Sequence, residues 1–349
     1  MTSTEKMNMI RRSTVVIDEA NFKEIKSLKG LHYVKLDNRL GAEIDINEFS
    51  HHLMSLVGVN EVESLSIEYR SCLKTVEIIK AFPNLWTLRV AGHNIISLDG
   101  LEMFTKGRRI EISVDNKKRN IEKISVVPIQ RLDLDYMKNA DLEAIKNCRS
   151  LNWLEIAKSP SPDFGAWENV PLQYLKLWHY GKFTELCDMA SVKTLERVMI
   201  GACGKFERFS GDNSNIKTLN IDGCSKFERF TDGNLNVETL WIVSCKKFDI
   251  SSLELLQSLE SLMINDCASE IALSALPSLP RLRSLQLWTC RVNYDIVDLK
   301  KKFPRLELFH PSEITAEQAI SLSMNSADVI IKSNQKQYLN GICVREAAK

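Results

Sequence analysis

Five of the nine cysteines stand at positions 203, 224, 245, 267 and 290, one every 21 to 23 residues. Thiols that return at a fixed period on neighbouring coils stack about 5 Å apart, the spacing of adjacent strands. That distance does not exclude disulfides. A metal held by the thiols is a second chemistry, but no Cys-x-x-Cys pair accompanies the column. Buried free thiols are the third, and they suit a reducing compartment. His51 and His52 are neighbours, so on a helix they point about 100° apart and do not converge on an ion. The motifs G-x-x-x-x-G-K-S/T, G-x-S-x-G, H-E-x-x-H and G-x-G-x-x-G do not occur. The sequence therefore offers no catalytic residue, no metal site and no cofactor.

The thiols end five copies of one phrase. It reads LERVMIGAC from Leu195, IKTLNIDGC from Ile216, VETLWIVSC from Val237, LESLMINDC from Leu259 and LRSLQLWTC from Leu282. The pattern apolar-x-x-apolar-x-apolar-x-x-Cys resembles the strand segment of the leucine-rich repeat (LRR) family. That resemblance implies an α/β leucine-rich repeat solenoid, a horseshoe with a parallel concave β-sheet and a helical or irregular convex side. It also implies that the cysteine turns inward and helps satisfy backbone groups of the turn leaving the strand. The frame extends backward through Leu172, Leu151, Ile129, Gly107, Leu85 and Val62, and forward to Leu306, with gaps of 21 to 24 residues. The earlier repeats carry Arg39, Arg70, His93, Asp115, Met137, Ser159 and Tyr180 in the cysteine place. Their turns are expected to differ, with Asn94 and Asn116 standing in one residue later.

Phe183, Phe206, Phe227 and Phe248 each follow their anchor by eleven residues. Stacked coils bring them into one aromatic column, which the resemblance makes structural. Thr75–Phe82, Asp141–Asn147 and Tyr294–Phe303 have helical patterns and form part of the convex wall. Residues 1–58 contain a strand pattern at Ser13–Asp18 and one helical face at Phe49, Leu53, Leu56 and Val57. They are expected to be an N-terminal cap with an irregular first repeat. Residues 59–311 are the repeats, and 312–349 a C-terminal cap opened by the capping box Thr315–Gln318.

With the leucines inward, period two turns anchor-plus-two, plus-four and plus-six outward. Four of the six tryptophans fall there: Trp153, Trp178, Trp241 and Trp288. Tyr136, Tyr174 and His179 lie on or beside the face. Such rings dominate binding hot spots. Glu111, Asp133 and Glu155 repeat at plus-four on successive strands, with Asp135 beside them; Arg109, Arg131 and Lys176 flank the stripe, which is either neutralised by them or a docking site for basic groups of a partner. This face, centred on residues 107–180, is the expected partner-binding site.

The net charge of +1 points to neither nucleic acid nor membrane. No apolar run is long enough for a signal peptide or a spanning helix, so the expected location is cytoplasmic. Ubiquitin-ligase LRR effectors need a large helical domain with a Cys-x-Asp motif, and Cys187-Asp188 lacks the intervening residue. The expectation is a non-enzymatic protein-binding LRR module, monomeric when free. By analogy with stand-alone repeat proteins, it would be a bacterial immunity protein neutralising a cognate toxin, with a basic toxin domain as partner. The alternatives are a host-targeted LRR effector, a receptor-type recognition fragment and a structural scaffold.

Overall fold

The computed structural model describes residues 14–19, 21–39, 41, 43–113, 120–135, 139–158, 164, 167–231, 235–267, 270–296, 298–333 and 336–346. The chain forms two compact units. The first holds residues 1–159 and 169–172, the second 160–168 and 173–349.

In the first unit seven short strands pair in parallel, each with the next: β1 (Thr14–Asp18), β2 (Tyr33–Asp37), β3 (Ser64–Ile67), β4 (Thr87–Val90), β5 (Arg109–Ile112), β6 (Arg131–Asp135) and β7 (Trp153–Ala157). Burial alternates as the apolar-x-apolar pattern requires. Leu132, Leu134, Leu154 and Ile156 are buried, and Arg131, Asp133 and Glu155 are half-buried on the other face. Glu111, Asp133 and Glu155 pair across β5, β6 and β7.

The second unit continues the same grammar. β8 (Tyr174–Trp178), β10 (Arg197–Gly201), β12 (Thr218–Asp222), β13 (Thr239–Val243), β14 (Ser261–Asn265), β16 (Ser284–Trp288), β18 (Leu308–Pro311) and β19 (Ile330–Ser333) form a parallel run. Two antiparallel strands, β20 (Lys336–Leu339) and β21 (Ile342–Glu346), follow β19. Short pairs build part of the return side: β9 (Glu185–Leu186) with β11 (Arg208–Phe209), and β15 (Glu270–Ala272) with β17 (Arg291–Asn293).

The turn after each strand is where the cysteines act. His179, Ala202, Ser244, Asp266 and Thr289 have φ between 51° and 58°, and Gly223, in the same place, has φ 63°. A left-handed non-glycine residue costs roughly 1–2 kcal/mol. Hydrogen bonds offset it. The N–H of this residue reaches the carbonyl of the next coil: Ala202 to Asp222 at 2.7 Å, Ser244 to Asn265 at 2.8 Å, Asp266 to Trp288 at 3.0 Å. The following thiol donates to carbonyls of its own strand and the preceding one, as Cys267 does to Asn265 at 3.2 Å and Ile242 at 3.4 Å. All five ladder cysteines are buried free thiols. Burial pushes Cys245 up to about 11 and Cys267 up to about 12, so they remain protonated at neutral pH. We expect Cys187 and Cys343, both exposed, to react within minutes with a thiol reagent in native protein. The ladder thiols should react only after unfolding, which a timed thiol titration reads directly.

In the first unit the turn after β7 has the same left-handed residue, Lys158 at φ 52°, without a cysteine, and the turns after β1 to β4 have none in that place. Asn94 donates from Nδ2 to the Ser71 carbonyl at 2.8 Å. Asn116 lies outside the described residues, as do Asp115, Met137 and Ser159. The fully buried Glu19 accepts from the Ser71 hydroxyl at 2.5 Å and from the Cys72 N–H at 2.8 Å, a role that nothing in its local sequence announces.

The phenylalanine column is present and doubled. Phe183, Phe206, Phe227 and Phe248 stack at 5.2, 5.7 and 5.7 Å with interplanar angles of 9° to 17°. Phe209 and Phe230 stack beside them at 6.1 Å and meet the first column edge-on. The return segments are less α-helical than their patterns predict. Thr75–Phe82 yields a five-residue 3-10 helix, Glu77–Ala81, and Tyr294–Phe303 only the α-helix Leu299–Lys302. A full α-helix is about 10 Å wide, whereas coils repeat at about 4.8 Å, so narrower elements fit the spacing. Asn139–Ile145 is α-helical as expected. Near the N-terminus Ile46–Ser55 forms a helix capped by Asp45. His51 and His52 on it bond different carbonyls, those of Asn47 and Ile25. The capping box at Thr315 and Gln318 is complete and opens the helix Ala316–Asn325. Among the described residues no helix is long and apolar enough to cross a membrane.

Candidate functional site on the open face of the strands

Inward leucines leave every second residue on the outer face, so the site is built by strand register. In the first unit the result is a charge ladder. Arg109 donates to Asp133 from Nη2 at 2.9 Å and also pairs with Glu111. Arg89 lies 3.7 Å from Glu111 on the other side. Arg131 donates to Asp133 through Nε at 3.1 Å and to Glu155 through Nη2 at 2.6 Å. Trp153 closes the row. Its indole N–H donates to Glu155 at 2.8 Å, and the Arg131 guanidinium sits 4.6 Å from its ring centre. Asp135 accepts from the Ser113 hydroxyl at 2.9 Å. Burial raises the Asp133 carboxyl above the usual range, with Arg131 and Arg109 opposing that rise. Three carboxylates thus face three arginines, and like-charge repulsion between neighbouring strands is relieved in place. Tyr136 lies outside the described residues.

The second unit presents a different surface. Tyr174, Lys176 and Trp178 share β8; Lys176 Nζ is 5.2 Å from the Trp178 ring centre, and the Tyr174 hydroxyl donates to Met199 Sδ at 3.7 Å. The Trp178 indole lies across Gly201 on β10, where an added Cβ would stand 2.0 Å from the ring. Glycine is therefore what lets this ring lie down. His179 is exposed in its left-handed turn, its ring 5.5 Å edge-on to Trp178. Trp241 is 43% and Trp288 36% exposed. They are the most open large rings on this face; Trp288 also meets the ring of His310 edge-on at 5.8 Å.

Period-two reading tracked rings and charges and passed over Met199, Asn220 and Met263. These stand in register with Trp241 on neighbouring strands. The same positional reading finds them once side chains other than rings are followed. Asn220 is unusual, because its Oδ1 is shielded from solvent and has no donor. An unmet buried acceptor is destabilising by roughly 1–3 kcal/mol. We expect Asn220→Leu to raise stability by about 1 kcal/mol, measured as a higher urea midpoint.

The parallel register, the left-handed turns that follow β7, β8, β10, β12, β13, β14 and β16, and the inward thiols together decide the architecture. The fold is a leucine-rich repeat solenoid. No family model matches the chain, and no curated protein matches it. Solved structures similar to it include an internalin (InlF) from Listeria monocytogenes, 15% identical, covering 79% of this chain and 85% of that one with a TM-score of 0.43. Internalin C2 of the same species is 18% identical over 66% of this chain and 82% of that one, with a TM-score of 0.33. The functional domain of InlJ from Listeria monocytogenes, described as including a cysteine ladder, is 12% identical over 90% and 71%, with a TM-score of 0.40. The likeness is one of repeat architecture only.

Proposed function

We propose that this LRR chain is a non-enzymatic protein-binding module that holds a protein partner on the open face of its strands. Residues 1–58 and 312–349 close the ends of the core, and 59–311 carry the repeats. The observation that carries the reading is the exposure of Trp241 and Trp288 on a face whose other side is packed with leucine and isoleucine. A large ring left open to water on such a sheet is a liability unless something covers it. The candidate contacts are Trp241, Trp288, Trp178, His179, Tyr174 and Lys176 in the second unit. Those of the first unit are Trp153, Glu155, Arg131, Asp133, Asp135, Tyr136 and Glu111.

The specific form of this function is a cytoplasmic immunity protein occupying a cognate toxin. A basic toxin domain would have to compete with Arg109 and Arg131 for the carboxylates it needs. The charge ladder therefore favours the general binding reading over that one.

The test is capture of a partner from lysate of the source organism by wild type, by Trp153→Ala/Trp178→Ala and by Trp241→Ala/Trp288→Ala, with folding followed by circular dichroism. Folded variants that lose a stoichiometric partner support the reading. If Trp153→Ala/Trp178→Ala unfolds, those half-buried rings belong to the core. If all variants retain the partner, the open face is not the site.

A further inference from the structure

The strand run of the second unit ends in an open edge. β18 and β19 pair in parallel, β20 turns back on β19, and β21 turns back on β20. The turn into β21 is Asn340-Gly341, with φ of 50° and 80°, the left-handed pair that a two-residue hairpin uses. Among the described residues β21 pairs with β20 alone. Its outer side offers backbone N–H and C=O groups, which are a template for one more strand.

Register sets what lies along that edge. Leu308 on β18 pairs with Ile330 on β19, Leu339 on β20 follows beside Ile330, and Leu339 pairs with Ile342 on β21. The open face therefore carries an aliphatic row that runs to the edge. Leu308, Ile330 and Leu339 are half-buried, but Ile342, the last of the row, is 67% exposed. Val344 has no partner on β20, because the register slips between Gln337 and Tyr338, and it is 51% exposed. Met324, on the helix Ala316–Asn325, lies against Gly341 at the start of β21 and is also open to water. Strand edges are commonly blunted by charge, proline or a bulge. Here the bulge at Val344 is present, and from Ile342 to Arg345 the one charge is Arg345. The apolar row stops one strand short.

We infer that the missing strand is β21 of a second copy of this chain, antiparallel to the first and centred on Cys343. β21 itself carries the side chains that the row lacks. Reversed on itself about Cys343, the strand sets Ile342 opposite Val344 of the copy and Val344 opposite Ile342 of the copy, apolar against apolar. Such a two-fold contact is self-complementary by construction. Arg345 falls opposite Gly341 of the copy, so no like charges meet. The two Cys343 residues become direct strand neighbours, about 5 Å apart between Cα atoms, a distance that a disulfide spans. The contact is short, so the dimer is weak, with a Kd of about 10–100 µM. The inference goes beyond the open-face function, because it uses an edge that partner capture does not probe.

The test is sedimentation velocity of the full-length chain from about 1 µM to about 200 µM, a span that brackets such an interface. Wild type is expected to shift toward twice the monomer mass as concentration rises. Ile342→Lys/Val344→Lys, with an unchanged circular dichroism spectrum, should associate at least about tenfold more weakly. A second readout does not depend on that variant. Copper(II)–phenanthroline takes the electrons of two thiols as their protons leave, and at high protein concentration it should join wild type through Cys343. Cys187→Ser should still be joined, and Cys343→Ser should not. In dilute protein the copies are apart, and Cys343 reacts with a thiol reagent as Cys187 does. A chain that stays monomeric across the whole range overturns the inference. So does a dimer that survives both lysines, or one that is joined after Cys343 is replaced. Each of these results leaves the open-face function standing.

Discussion

Truncating Phe227 to alanine is expected to lower stability by about 3–5 kcal/mol, the range for emptying a large aromatic site in a core. Phe227 sits at the crossing of both aromatic columns. It stacks on Phe206 and Phe248 at 5.7 Å and meets Phe209 and Phe230 edge-on at 6.2 and 5.2 Å. It has no exposed surface. Relaxation cannot refill the gap, because each neighbouring ring is fixed by its own coil. A solenoid is stabilised coil by coil, so the loss should open the coils around Phe206–Phe248 first. Urea denaturation followed by far-ultraviolet circular dichroism gives the total. Hydrogen exchange shows whether β10, β12 and β13 lose protection before the rest. A loss below about 1 kcal/mol would mean that the column is loosely packed and contributes little, against the range expected for such a site.

The second large effect concerns binding. Trp241→Ala/Trp288→Ala is expected to weaken the complex by at least about 2 kcal/mol, roughly thirtyfold, as hot-spot tryptophans do. Folding stability should change by less than about 1 kcal/mol, since both rings remain more than a third open before any partner arrives. The two effects separate cleanly. Phe227 changes stability with an unaltered outer face, and the tryptophans change affinity with an unaltered core. Titration calorimetry of the captured partner, beside a urea series on the same samples, reads both. Unchanged affinity with intact folding would remove the case for the open face.

The comparison of the two units changes how the site is understood. Reading charges along the chain, Glu111, Asp133 and Glu155 look like an acidic stripe centred on residues 107–180. In three dimensions Arg109 and Arg131 lie between those carboxylates and satisfy them. The open face of the second unit, with Trp241 and Trp288 open and Met199 and Met263 on β10 and β14, is the surface we propose a partner covers. Sequence position alone does not distinguish these cases, because Arg131 can reach toward Asp133, toward Glu155 or into solvent. Only the neighbouring strand decides.

What the sequence by itself determined was everything carried by its period. The 21-to-24-residue return set the order of the parallel strands from β3 to β18, while β1, β2 and β19, which pair in parallel with that run, lie outside the return; the apolar alternation set which side chains face inward. The cysteine place gave the buried thiols, the eleven-residue offset gave the first phenylalanine column, and Thr315 with Gln318 gave the last helix. These are local patterns repeated coil after coil, and repetition makes them readable. The tertiary structure decided what depends on distance across coils: the pairing of arginines with carboxylates, the second column at Phe209 and Phe230, and the 3-10 returns imposed by the narrow coil spacing. It also decided that Trp178 lies flat over Gly201 while Trp241 stands open to water. A ring's exposure is set by the side chain opposite it on the next strand, about 4.8 Å away in space and more than twenty residues away in the chain.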